Sequence, residues 1–130
     1  RTLMARMLAQ QDGNRGFGDR VGGLVVVAAD MRAFYRIGER NQGWVDGGLF
    51  AMTLNYAFHA MGYGVCMLNW SKPMSTDLHF RKTFGIAEDH LIVMLMAVGH
   101  LPEDFNVAVS PKRPVSSYAL ALAPAQDRLS

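Results

Sequence analysis

The chain has 130 residues, half of them hydrophobic and 18% charged, which excludes general disorder and fits one domain with a core of its own. Thirteen basic against eleven acidic residues leave a formal charge of +2, too little to argue for nucleic acid on electrostatic grounds. A single cysteine, Cys66, excludes an internal disulfide and fits a reducing compartment, with the cytoplasm as the expected location.

In chain order, Thr2 to about Gln10 carries apolar residues at 3, 4, 7 and 8, the spacing of a short amphipathic helix. Gln11 to Gly23 is glycine-rich and reads as a loop. Leu24–Ala29 is a continuous, largely β-branched run between Gly23 and Asp30, the pattern of a strand covered on both faces. A short helix is expected over Met31 to about Ile37, followed by a polar connection to Gly43. Trp44 to Gly62 predicts the central helix: nothing between Leu49 and Met61 breaks one, Asp46 falls in the expected first turn, and Gly62 stands at a natural left-handed stop. After Asp46 its only polar side chains are Thr53, Asn55 and His59, so the helix is expected to be covered on two sides, by this chain or by a partner. It is too short and too interrupted for a membrane span.

Beyond Gly62, Val65–Leu68 predicts a second buried strand, Ser75–Phe84 a helix ended by Gly85, and Leu91–Val98 a third strand. Strand and helix alternate, so the fold class is α/β, a central sheet flanked by helices, as one domain over residues 1–130. Residues 119–130 read as a tail. The chain opens directly into a helical pattern, as a piece of something longer would, and no basic-then-apolar secretory leader is expected. A central helix this apolar makes an intertwined dimer the natural arrangement.

Candidate chemistry is sparse. The four histidines lack metal-site spacing and no cysteine pair accompanies them. No Gly-x-Ser-x-Gly elbow or phosphate-binding Walker loop occurs. Cys66 lies within an apolar strand and reads as a structural thiol rather than a nucleophile. Three loops remain, each with two readings. Gly13-Asn14-Arg15-Gly16-Phe17-Gly18 is either a plain glycine turn or a close-approach loop whose Asn14 and Arg15 offer directed donors. Leu68-Asn69-Trp70-Ser71, at a strand end, is either an aromatic cap on the core or a ligand-facing edge. Lys112-Arg113, between Pro111 and Pro114, is either a solvated basic turn or a phosphate seat. Together, a glycine loop, a strand end and a cationic turn are what a phosphorylated planar cofactor requires.

Asp46-Gly47-Gly48 ahead of a long apolar helix, then Met61-Gly62-Tyr63-Gly64-Val65-Cys66, Gly99-His100-Leu101-Pro102 and the Lys112-Arg113 loop, in that order, resemble the nitroreductase-like FMN-dependent oxidoreductases. The resemblance covers roughly Gln10 to Tyr118 and implies an α+β nitroreductase-like fold and a homodimer with FMN at the subunit interface. It also implies reduction by NADH or NADPH and reoxidation by a small-molecule electron acceptor, a flat one such as a nitroaromatic or quinone, with ping-pong hydride transfer. Neither nucleic acid nor membrane enters that picture. By the same resemblance Asn14, with Arg15 beside it, takes the place of a flavin-ring contact. Leu68, Asn69 and Trp70 lie beside the reactive edge of the ring, and Lys112 and Arg113 at the phosphate. The family's usual N-terminal segment, which grips the phosphate and ribityl chain, is not in this sequence. The alternative expectation is therefore a non-catalytic, truncated dimer of the same fold with a binding or structural role.

Overall fold

The computed structural model describes residues 2–107 and 109–120; most of the expected tail, from 121 onward, lies outside the described residues. Six regular elements follow in order: α1 (Leu3–Leu8), β1 (Gly23–Asp30), α2 (Gln42–Ala60), β2 (Tyr63–Asn69), α3 (Met74–Phe84) and β3 (His90–His100). Thr2 caps α1, its hydroxyl accepting from the Ala5 amide at 3.3 Å, which satisfies one of the otherwise orphaned first-turn donors. Gly85 ends α3 in the left-handed region at φ 70°, where a side chain would be strained. Gly62 turns α2 into β2 at φ 83°.

The three strands form one sheet in the order β1-β3-β2 with both pairings antiparallel. Among the described residues the last strand in sequence is therefore the middle one, and β1 and β2 are edges. This corrects the expectation of strands covered throughout: only Val27 of β1 is fully buried, and Cys66 and Met67 of β2 are exposed. Continuous apolar runs mimic central strands, but here one apolar face packs while the strand's outer edge stays open. Helices do cover both faces. Leu68, Trp70, Phe80, Ile92 and Leu95 form a core with α1 and α3 on one side, and Val27, Ala51, Val93 and Met96 form another under α2.

α2 begins at Gln42, earlier than its apolar run suggests, so Asp46 is not in the first turn; there it accepts from the Gln42 amide at 2.7 Å. The short helix expected after β1 is instead two separate 3₁₀ turns, Met31–Ala33 and Ile37–Glu39. Gly43, Gly47 and Ala51, one turn apart, are the buried residues of α2. Their smallness lets the helix backbone lie close to the sheet. A Cβ on Gly47 would sit 2.4 Å from a methyl of Val93, and one on Gly43 would sit 2.8 Å from the Met31 sulfur. Val93 is in turn the extra residue of a bulge in β3, because the pairing passes from Val27↔Met94 to Ala28↔Ile92. The bulge puts both Val93 and Met94 toward α2.

The opposite side of α2 is open. Val45, Leu49, Met52 and Tyr56 are exposed, Leu49 to 66% and Tyr56 to 64%. The described residues of this chain thus supply one of the two expected covers. Gly48 lies on this open side with nothing within 4 Å of a built Cβ.

Two neighbouring glycines are accordingly expected to respond in opposite senses. Gly47→Ala drives a methyl into Val93 and should destabilise by about 1–3 kcal/mol, as overpacking does. Combining it with Val93→Ala should recover part of that loss. Gly48→Ala should stabilise the chain by about 0.5–1 kcal/mol through helix propensity. Urea unfolding of the four proteins checks this, and equal effects of the two single alanines would contradict the close approach at Val93.

Candidate functional site

The glycine loop and the end of β2 meet, and the residue that joins them is Gln11. It is the one buried polar residue among those described, 7% exposed. Its Nε2 donates to the Asn69 carbonyl at 3.0 Å, across 58 residues of sequence. Its Oε1 accepts from the Gly13 amide at 2.6 Å and from Asn14 Nδ2 at 3.2 Å. A buried amide so fully bonded is costly to disturb, because each lost partner leaves a desolvated group.

From the other side the strand end is held by Trp70. Its ring stacks at a tilt on Phe80, 4.4 Å between centroids, and its Nε1 donates to Asp77 Oδ1 at 2.7 Å. Asp77 also pairs with Arg81, whose guanidinium donates to the carbonyls of Glu88 and His90. Leu68 and Trp70 are therefore anchored in the core through their side chains, and only their backbones are placed to meet a ligand. As an edge strand, β2 leaves alternate backbone N–H and C=O groups without ladder partners.

Between loop and strand lies a groove of about 320 Å³ lined by Gln11, Asp12, Gly13, Leu68, Asn69 and Lys72, with Cys66 among its further walls. Lys72 Nζ is 2.6 Å from Asp12 Oδ2, and the Lys72 side chain is largely covered while Asp12 is exposed. The ion pair forms part of the groove's lining.

The expected site residues separate into groups. Leu68 and Asn69 line this groove. Asn14 does not; its Nδ2 donates to the carbonyls of Leu8 and Gln11, both at 2.7 Å. Its amide thus braces the loop against α1 rather than projecting as a free donor. Arg15 is exposed and makes no hydrogen bond among the described residues, and Trp70 takes the core-capping role. Lys112 and Arg113 are exposed in the segment after β3 and line neither this groove nor the larger one described below. Gln11 and Lys72 went unnoticed in the sequence. Gln11 opens the glycine loop, where a polar residue is ordinary, and Lys72 follows the strand end by three residues with only its charge as a signal.

Cys66 is not the buried structural thiol its apolar surroundings suggest; it is exposed on the edge strand. A cluster that could ligate a cation, Asp30, Asp89 and His90, lies at the other end of β1. Arg32 already spans it, pairing with Asp30 at 2.7 Å and Asp89 at 3.0 Å. The Arg32 hydrogen bonds hold the Asp30 carboxyl down at about 2. Arg32 thus already occupies both carboxylates from one side and offsets one of their two charges.

A sequence model of the nitroreductase family matches residues 3–100. The fold is similar to that of an FMN-dependent nitroreductase from Clostridium difficile R20291, with a TM-score of 0.68 over 90% of this chain and 68% of that one, at 13% identity. No curated protein matches the chain. With three antiparallel strands between α2 on one face and α1 and α3 on the other, and a family match running from the first helix to the end of the last strand, the chain belongs to the nitroreductase family.

Proposed function

We propose that the protein is an FMN-dependent oxidoreductase of nitroreductase type, working as a homodimer in the cytoplasm. NADH or NADPH is the electron donor, and a flat acceptor such as a nitroaromatic or quinone collects the electrons in a ping-pong cycle. The observation that carries the reading is the Gln11 clamp, which holds the glycine loop against the end of β2 and makes one groove of two expected cofactor segments.

The groove fits part of such a cofactor. Its volume of about 320 Å³ is at the lower end of small-ligand sites, roughly 300–1,000 Å³, and its walls combine the β2 backbone at Met67, Leu68 and Asn69 with the Lys72–Asp12 ion pair. When bound, FMN supplies the hydride chemistry, so the chain needs no acid–base residue of its own. The backbone at Leu68, Asn69 and Trp70 orients the ring edge, fixed by Trp70 in the core. Arg15 borders the ring from the loop, and Asn14 serves the cofactor by fixing that loop through its bonds to Leu8 and Gln11. Lys112 and Arg113 take the phosphate, where two cations favour a dianion. The open side of α2 carries the dimer contact, with Val45, Leu49, Met52 and Tyr56 meeting the same residues of a second copy.

The purified protein should show a flavin spectrum after FMN addition and elute as a dimer on gel filtration. A colourless dimer that takes up no FMN would move the conclusion to the non-catalytic reading. Replacing Lys112 and Arg113 together by Ala is expected to raise the FMN Kd by about tenfold or more, the loss of charge-assisted bonds, with the dimer intact. Unchanged affinity would remove both residues from the site. Gln11→Leu should also weaken FMN binding by about tenfold, since it leaves the Gly13 amide and Asn69 carbonyl unpaired; an unaltered titration would separate the clamp from the cofactor. Leu49→Lys with Tyr56→Lys should convert the dimer to monomer, because two cations cannot be buried across a two-fold contact without partners. A persisting dimer would place the interface elsewhere.

A further inference from the structure

A second, larger groove of about 800 Å³ opens on the same sheet face at the opposite end of β2, between the loop residues Phe17–Val21 and the end of β3. It shares only Cys66 with the Lys72 groove, and none of the residues proposed above for the flavin lines it. We propose that this groove is a separate binding site for a small aromatic carboxylate.

The floor is bare sheet. Gly64 pairs with Gly99 and Cys66 with Ala97 across the β2–β3 ladder, and all four share the face on which Leu68 and Leu95 are buried. Nothing lies closer than 3.9 Å to a Cβ built on Gly99, so the depth at that point is open. Leu101 closes one end by lying over Gly64, where a Cβ would come within 2.5 Å of its methyl.

The walls define the occupant. The His100 ring turns to the other sheet face, 5.0 Å from that of its pair Tyr63, and Phe17 and Phe105 are the aromatic side chains of the groove. Such surfaces favour a flat ring in offset or edge contact. The charged and amide side chains on this face of the lining are Arg20 and Asn106, and no carboxylate is among the lining residues. Arg20 is steadied by one bond, Nη2 to the Gly16 carbonyl at 3.0 Å; it makes no ion pair among the described residues, and its remaining donors suit a carboxylate. An apolar floor, aromatic walls and a rim of donors together select an aromatic body with one anionic end, in a volume ordinary for such ligands.

Naphthoate and its neutral counterpart naphthalenemethanol are the probes. Calorimetric titration of the full chain should show naphthoate binding, with the alcohol weaker by about tenfold, the worth of a charge-assisted hydrogen bond. Naphthoate should also slow alkylation of Cys66, the chain's one cysteine, by iodoacetamide; because Cys66 borders both grooves, loss of that protection in Arg20→Gln assigns it to this one. Gly99→Leu fills the open depth and should abolish naphthoate binding with the thermal transition preserved; Arg20→Gln should weaken it by about tenfold. Equal affinity for the two probes, or full affinity in a folded Gly99→Leu protein, would overturn the proposal. If Gly99→Leu fails to fold, the exposed Arg20→Gln change decides. Titration in saturating FMN should give the same naphthoate affinity. Displacement by FMN would make the groove the flavin's own seat and overturn a separate site. A chain that takes up no FMN would sink the flavin reading while leaving the naphthoate result to stand on its own.

Discussion

The close seating of α2 on β3 is the constraint from which the rest of the architecture follows. Gly47 admits Val93, and Val93 can reach it because β3 carries a bulge there. Glycines inside a helix lower its intrinsic stability, each by about 1 kcal/mol relative to alanine, so tertiary contact must offset that loss. It does so by packing Ala51, Val93 and Met96 at close range. The same strand serves the opposite core through Ile92, Leu95 and Ala97. β3 is thus the shared wall of both cores, and the placement of α1, α3 and the loops between them is referred to it. A helix that meets the sheet with its smallest residues must keep its large ones elsewhere, which explains why the outer side of α2 is apolar and open.

The site inherits this rigidity at second hand. The backbone from Leu68 to Ser71 is gripped from the core by the Trp70–Asp77–Arg81 chain of hydrogen bonds and from the loop by Gln11. Neither grip uses a residue with its own chemistry to perform. Asn14 follows the same logic, because its amide holds the loop to α1. The polar side chains near the groove are mostly engaged in shaping it, Lys72 included through its pair with Asp12, and backbone edges are what the groove leaves open. That division suits a cofactor that brings its own reactivity.

Much of this was legible in the amino acids and some was not. The helices and strands announced themselves by period and by their stops, Gly62 and Gly85 above all, and the apolar excess of α2 pointed to a missing cover. Strand direction was not legible, since Val25-Val26-Val27 reads alike in parallel and antiparallel sheets. The start of α2 was hidden because Gly43 looks like loop; its role as a contact surface appears only when Met31 and Leu91 are placed beside it. Cys66 looked buried because its neighbours are apolar, yet an edge strand exposes what a central strand hides. Gln11 left no local trace, because its decisive bond joins positions 58 residues apart. That Leu68 and Asn69 border a groove was legible because a strand end is a sequence feature; that Lys72 does was not, because its partner Asp12 lies 60 residues away.

The position of β3 also bears on the order of events during synthesis. Among the described residues β1 and β2 pair only with β3, and β3 ends at His100. On the ribosome, both earlier strands emerge with their apolar faces and hydrogen-bonding edges unsatisfied until the central one follows. Such edges are templates for wrong pairing between nascent chains. The sheet then closes in one late step that joins segments distant in sequence, the kind of topology that folds slowly. The interval before that step, rather than the finished fold, is where this protein is most exposed to aggregation and where a chaperone that shields strand edges would have its effect.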